Sequence, residues 1–393
     1  VIEEHAFYVC SSLDGTLTLP STLKEIGGGA FSDCSSLTGN LTLPEKLEKI
    51  GSGAFNNCKG FYGELHLPNS LKGIGMSAFG NCEGLTGSLT IPQGITKISH
   101  STFFGCGFNG NLNLHDGVTD IDEQAFFGCK FRGELVLPKN LKSIGDFAFY
   151  NCSFSGTLHL PATLLSIGEG AFQYNNQLTG TLEIPEKITS IKSDAFYQCT
   201  GIGGIVLPAN METINSRAFE NCFNIGSIVC KGAYPAYVKS GAFDGVPKDN
   251  FTVEVPESSV AQYQTTAGWN EFKRIAAHHE LVCRPSVACA LSTEHKQSLI
   301  VDAEGEWEVA SKPDWCEVSP ASGNKKTEVT LTINAMAKNG TSREGKVVFR
   351  LKEEEYTHEC RVSQYGYEYG EDQWLTLQKA TKGKKGGINI VLL

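Results

Sequence analysis

One dipeptide constrains this chain more than any other feature. Phenylalanine recurs at Phe7, Phe31, Phe55, Phe79, Phe103, Phe126, Phe149, Phe172, Phe196, Phe219 and Phe243. Alanine precedes it every time except at Phe103, where Thr102 stands instead. The ten intervals are 24, 24, 24, 24, 23, 23, 23, 24, 23 and 24 residues. A period held this long means that each copy is one small structural unit stacked on the next. A Leu/Ile-Pro step keeps the same phase at Pro20, Pro44, Pro68, Pro92, Pro138, Pro161, Pro185 and Pro208, with His115 in the one vacant slot.

The unit Ser36 to Cys58, SLTGNLTLPEKLEKIGSGAFNNC, can be read physically. NLTLP alternates, so Leu41 and Leu43 share one face and Asn40 and Thr42 the other, which predicts a short half-buried strand. Pro44 stops it. Leu47, Ile50, Ala54 and Phe55 then return inward at irregular spacing, with a turn at Gly51. A lone unit buries too little apolar surface to offset the entropy of ordering it, so stacking must supply the remainder.

The pattern LxLPxxLxxIGxxAFxxC resembles the BspA-type leucine-rich repeats. The resemblance runs over residues 1–275. It implies a right-handed solenoid of about eleven turns, mainly β, with the LxL strands lining a parallel sheet and with adhesion rather than catalysis as its business. At one strand spacing per turn the stack would measure roughly 50 Å. Cys230 to Tyr237 (CKGAYPAY) departs from the repeat, and Phe251 to Ile275 resembles the family's closing cap. There Ser258 or Ser259 is placed to N-cap a short helix carrying Val260 and Tyr263, with Trp269 and Phe272 covering the last turn.

Nine cysteines follow the phenylalanine by three residues: Cys10, Cys34, Cys58, Cys82, Cys106, Cys129, Cys152, Cys199 and Cys222, with Asn175 in the same slot once. An odd number interrupted by asparagine argues against a disulfide ladder. Zinc needs several ligands about 2.3 Å from one point, whereas a ladder offers one sulfur per turn of about 4.8 Å. The favoured reading is a small group that packs and hydrogen-bonds a neighbouring turn, a capacity that thiol and amide share. Cys230, Cys283, Cys289, Cys316 and Cys360 lie outside the ladder.

Residues 276–280 read as a linker. Alternating runs follow (SLIVDAEG, EWEVAS, EVTLTIN, KVVFRL, HECRVSQ), the pattern of a small β-sandwich. Trp307, Trp315, the turn Ser319 to Gly323, Asn334, Arg343, Gly345 and Gln364 resemble the BACON domain, an Ig-like family proposed to bind carbohydrate, over residues 281–366. The two tryptophans look structural, as core or sheet-edge packing, with sugar stacking as the alternative, and the parity of Cys316 and Cys360 makes buried free thiols the default. Residues 367–393 form a lysine-bearing tail (Lys379, Lys382, Lys384, Lys385) ending in INIVLL, which faintly resembles the first strand of IgA-protease-like metallopeptidases. The chain also starts inside a repeat, so it reads as one piece of a longer exported protein.

Chemistry is sparse. The net charge of −10 favours neither nucleic acid nor anionic membrane, and no apolar run approaches the ~18 residues of a membrane span. The opening VIEEHAFYVC is not a signal peptide. GxSxG and the P-loop are absent, and HHELVC puts Cys283 where a zinc-binding HExxH needs histidine. Asp116, Asp120, Asp122 and Glu123 form an acidic patch, read as a solvated face or a calcium site. No enzyme, cofactor or metal is expected. The candidate surface is the outward strand column Thr18, Thr42, His66, Thr90, Asn113, Val136, His159, Glu183 and Val206, beside the column Thr16, Asn40, Glu64, Ser88, Asn111, Glu134, Thr157, Thr181 and Gly204. His66, Asn113, His159 and Glu183 are its candidate ligand-binding residues. The expected partner is a host or bacterial protein or glycoprotein, or its glycans, met outside the cell by a monomer. An accessory region of a larger secreted peptidase or glycosidase, and a structural stalk, remain alternatives.

Overall fold

The computed structural model describes residues 1–278, 281–284, 287–290, 294–303, 305–336, 342–352 and 357–364. The terminal tail, with its lysines and INIVLL, lies outside the described residues. The chain divides into two compact units, one ending at His278 and one following it.

The first unit is a β-solenoid. Its most regular ladder is built six residues after each proline. Glu25–Ile26, Lys49–Ile50 and Gly73–Ile74 pair in parallel, Ile26 with Ile50 and Ile50 with Ile74, and Ile2 bridges to Ile26. Lys97–Ile98, Asp120–Ile121, Ser143–Ile144 and Ser166–Ile167 make a second run. Ser190–Ile191, Thr213–Ile214 and Tyr237–Val238 make a third. This corrects the sequence reading, which gave the ladder to LxL; Ile50 faces inward as expected, but it does so from a strand.

Along LxL the pairing is patchy. Leu89–Thr90 pairs with Leu112–Asn113, and a continuous sheet runs only from Gly156–Thr157 through Leu178–Glu183, Ile202–Leu207, Ile228–Cys230 and Val253–Val255 to Ile275–Ala277. Proline at the strand's end cannot donate to a ladder, and Gly39, Gly63 and Gly87 before it sit at positive φ. The alternation nevertheless holds: Leu41 and Leu43 are buried and Thr42 is exposed.

The Ala-Phe corner has a backbone of its own. In all eleven repeats the residues two before and two after the phenylalanine are left-handed, as in Gly29 and Asp33, Gly53 and Asn57, or Ser77 and Asn81. Glycine, asparagine and aspartate tolerate that conformation best, which accounts for their crowding around the motif. The corner bonds to the next turn through Gly29 N to Ser52 O, Phe31 N to Ala54 O and Asp33 N to Asn56 O, each 2.8 Å. Inside, the phenylalanines form one stack from Phe7 to Phe243 with centroids 5.1–5.6 Å apart. Glycine after the ladder isoleucine permits close approach of turns: a Cβ on Gly75 would lie 2.3 Å from Ser52 N.

The stack ends on Trp269 and Phe272, which meet Phe243 at 5.8 and 5.5 Å. Trp269 Nε1 donates to Ala236 O at 2.9 Å, and the Tyr263 hydroxyl to Gly232 O at 3.0 Å. The helix Val260–Thr265 carries Tyr263 as expected, but Ser259 at its N-cap donates its hydroxyl to Ala233 O at 2.7 Å instead of capping the helix.

The second unit holds two sheets. One orders Leu281–Arg284, His295–Ala303, Thr327–Ile333 and Cys316–Ser319, all antiparallel. The other orders Val287–Ala290, Thr357–Gln364, Arg343–Leu351, Glu306–Ser311 and Ser322–Asn324, parallel only at its first pair. Its core includes Trp307, Phe349, Cys283, Cys316 and Cys360.

Candidate binding surface

The four candidate residues stand where alternation puts them. His66, Asn113, His159 and Glu183 are all exposed. Asn113 lies in register beside Thr90 and donates to its hydroxyl at 2.9 Å. His66 Nε2 lies 3.8 Å from Glu64 of the neighbouring column. Glu183 registers with Val206. Between the turns of His159 and Glu183 the register is interrupted: Thr157 pairs with Thr179, not Thr181, and the ladder shifts between Gly180 and Thr181.

The cysteines make the anticipated bond. Cys34, Cys58, Cys82, Cys106, Cys129, Cys152, Cys199 and Cys222 each donate from Sγ to the carbonyl of the phenylalanine one turn back, at 3.0–3.4 Å. Asn175 does the same with its amide, to Phe149 O at 2.7 Å. Burial pushes the Cys82, Cys129 and Cys222 thiols up to about 12, so they stay protonated and unreactive. His115, in the proline slot, accepts Gly117 N at Nδ1, which leaves the proton on Nε2 to donate to Pro92 O at 3.0 Å.

The acidic patch is divided among separate partners. Asp116 accepts Lys139 N, Asp122 pairs with Lys97 at 2.9 Å and Glu123 faces His100 at 3.6 Å. Burial alone would raise the Asp120 carboxyl, but hydrogen bonds from Ser143 and Thr119 hold it below its ordinary value. Among the described residues no group of three or more His, Cys, Asp or Glu is placed to hold a metal. A groove of about 460 Å³ beside the patch is lined by His100, Asp122, Glu123, Asp146, Ser166 and Lys192.

In the second unit the motif residues converge. Arg343 lies over the Trp315 ring at 4.5 Å, donates from Nε to Gln364 at 2.9 Å and from a guanidinium nitrogen to Asn334 O at 3.0 Å. Asn334 N in turn donates to Trp315 O at 2.9 Å. A Cβ on Gly345 would meet Pro313 at 2.5 Å and Trp315 at 3.2 Å. Trp307 is fully buried against Phe349. Trp307 is thus committed to the core, whereas Trp315 is half-buried beneath Arg343.

One surface escaped the sequence reading. Phe104, Phe127, Tyr150, Tyr174 and Tyr197 form a half-exposed aromatic strip, one ring per turn, with centroids 4.8, 4.3, 5.3 and 5.5 Å apart. Arg217 closes it over Tyr197 at 5.5 Å. Its trace in the sequence is the pairs FF, FF and FY at Phe103, Phe126 and Phe149, which the LxL alternation does not predict.

The family model described as BspA type leucine-rich repeat region matches residues 1–132 and 132–248. That of the BACON putative binding domain matches residues 305–364. No curated protein matches significantly. Among solved structures, a leucine-rich cell surface protein of Faecalibacterium prausnitzii is 19% identical, over 71% of this chain and 83% of that one, with a TM-score of 0.38. A leucine-rich repeat protein of Bacteroides ovatus is 21% identical over 71% and 88%, at 0.32. A Bacteroides ovatus GH5 xyloglucanase bound to a heptasaccharide is 20% identical, over 23% of this chain and 19% of the enzyme, at 0.21. Among the described residues no helix is long and apolar enough to cross a membrane.

Proposed function

The chain belongs to the BspA-type leucine-rich repeat family, and on that premise we propose that it is a non-catalytic binding module of the bacterial cell surface. Its ligand is a protein or glycoprotein that lies along the outward LxL column. The observation that supports this is extent. His66, Asn113, His159 and Glu183 are all exposed and spread over five turns, about 24 Å at one strand spacing per turn. No single small molecule engages all four, whereas a macromolecule does.

The test is a screen of the purified chain against mucins, glycans and matrix proteins, repeated with all four residues changed to alanine. Binding should be abolished while the melting temperature stays nearly constant, since exposed substitutions usually cost under about 0.5 kcal/mol. Undiminished binding by the fourfold variant would remove the column from the site. Turnover of peptide or glycan substrates by the purified chain would remove the non-catalytic reading.

A further inference from the structure

The aromatic strip is a second surface, independent of the LxL column, and its chemistry is different. Phe104, Phe127 and Tyr150 stack nearly parallel, at interplanar angles of 14° and 3°. Phe127 therefore has a ring stacked on each face, one from Phe104 and one from Tyr150. Tyr197 gives a face to Arg217. Sugar platforms need a free ring face, because the apolar side of a pyranose lies flat on the ring. Phe127 offers none. The strip presents instead a ridge of half-exposed rings.

The turns that carry Phe127, Tyr150 and Tyr174 also carry the exposed carboxylates Glu123, Asp146 and Glu169, four, four and five residues before the ring. Asp146 accepts Glu169 N at 2.7 Å, which fixes it in place. Each carboxylate stands three residues before the core phenylalanine, and Phe127 and Tyr150 stand one residue after it. The chain as a whole carries −10, so the field around these carboxylates is not reversed at a distance. The molecule also contains one example of a ring and a carboxylate holding a cation, with the carboxylate, Asp194, two residues before its core phenylalanine. Arg217 lies over Tyr197 while its guanidinium is held 2.9 Å from Asp194 one turn back. Ring and carboxylate together hold that arginine, combining a cation–π contact with an ion pair.

We propose that the strip from Phe104 to Tyr197, with the carboxylates Glu123, Asp146 and Glu169, docks an extended basic segment of a partner polypeptide. Its apolar side chains lie against the rings and its arginines or lysines reach the carboxylates. Charge complementarity selects this occupant over an acidic or neutral one.

The test uses the full chain and three probes: a synthetic peptide of alternating arginine and leucine, its glutamate–leucine counterpart, and neutral cello-oligosaccharides. Calorimetry at low and high salt should show binding of the first alone, weakened by salt. A fourth probe, an oligo-arginine peptide of equal charge, should bind less tightly than the arginine–leucine peptide, because the leucines meet the ridge. Glu123→Gln, Asp146→Asn and Glu169→Gln together should weaken binding about tenfold, the sum expected of three exposed pairs. Phe127→Ser with Tyr150→Ser should weaken it as much. If that pair destabilises the corner, the exposed charge variants and the oligo-arginine comparison still decide. The fourfold alanine variant of the LxL column should bind the peptide unchanged, so failure here is distinct from failure there. Equal affinity of the charge variant and the unaltered chain would overturn the proposal. So would oligosaccharide binding that Tyr150→Ser removes.

Discussion

Asn175 donates its side-chain amide to the Phe149 carbonyl at 2.7 Å, the bond that a cysteine makes in the other buried turns. The substitution is imperfect. Asn175 Oδ1 is buried without a hydrogen-bond partner, and an orphaned buried acceptor costs about 1–3 kcal/mol. Asn175→Cys keeps the donor and removes the orphan. It should stabilise the solenoid by about 1 kcal/mol, read as a higher urea midpoint at constant slope. A lower midpoint would show that the amide fits its turn better than a thiol.

The ladder cysteines make a second prediction, in alkali. Burial raises Cys82, Cys129 and Cys222 to about 12, while a thiol in the unfolded chain ionises near pH 8.5. Between those values the unfolded state has lost protons that the folded state keeps, so stability falls as pH rises. It is fully present below about pH 8.5 and declines toward pH 12. Urea midpoints measured from neutral to alkaline pH should drop steeply over that window, and Cys82→Ala should flatten the drop. Iodoacetamide at neutral pH should label Cys34, Cys58, Cys82, Cys106, Cys129 and Cys152 only after unfolding. Fast labelling of the native chain would contradict their burial.

The turns were legible in the sequence because one phenylalanine per repeat kept phase and because Cys and Asn175 share a donor role. The ladder was not, since a two-residue strand such as Lys49–Ile50 is too short to show alternation. The left-handed corner residues leave a trace in Gly53 and Asn57 yet none in Phe147 or Arg217; at Phe147 the bond from its N to Glu169 O on the next turn overrides the preference. For the candidate site the outward parity of His66 and Glu183 could be read directly. The aromatic strip depends on which residues of a tight turn face outward, and no simple period supplies that.

Acid should test the second unit. His358 Nε2 is buried without a hydrogen-bond partner, and burial holds the ring below its ordinary value of 6.5. Its folded pKa is depressed, so its contribution is present above that value and is lost as pH falls through the folded pKa. Hydrogen exchange of Thr357–Gln364 should accelerate below about pH 6.5. His358→Phe, which cannot take a proton, should abolish the acceleration. An unchanged pH dependence in that variant would assign the effect to other groups.

The convergence on Arg343 decides whether Trp315 is structure or platform. Its guanidinium covers the ring while binding Gln364 and Asn334 O. Lysine keeps the charge but has neither the plane nor the fork. Arg343→Lys should therefore cost the sandwich about 1–3 kcal/mol, seen as faster hydrogen exchange in Arg343–Leu351, with exchange at the isoleucine ladder unmoved. Gly345→Ala should act on the same strand, since its Cβ would meet Pro313 at 2.5 Å and Trp315 at 3.2 Å. If Arg343→Lys left exchange untouched, the arginine would not be holding the ring. Trp315 would then be available to a sugar, and carbohydrate binding would return to this unit as a hypothesis for glycan arrays to examine.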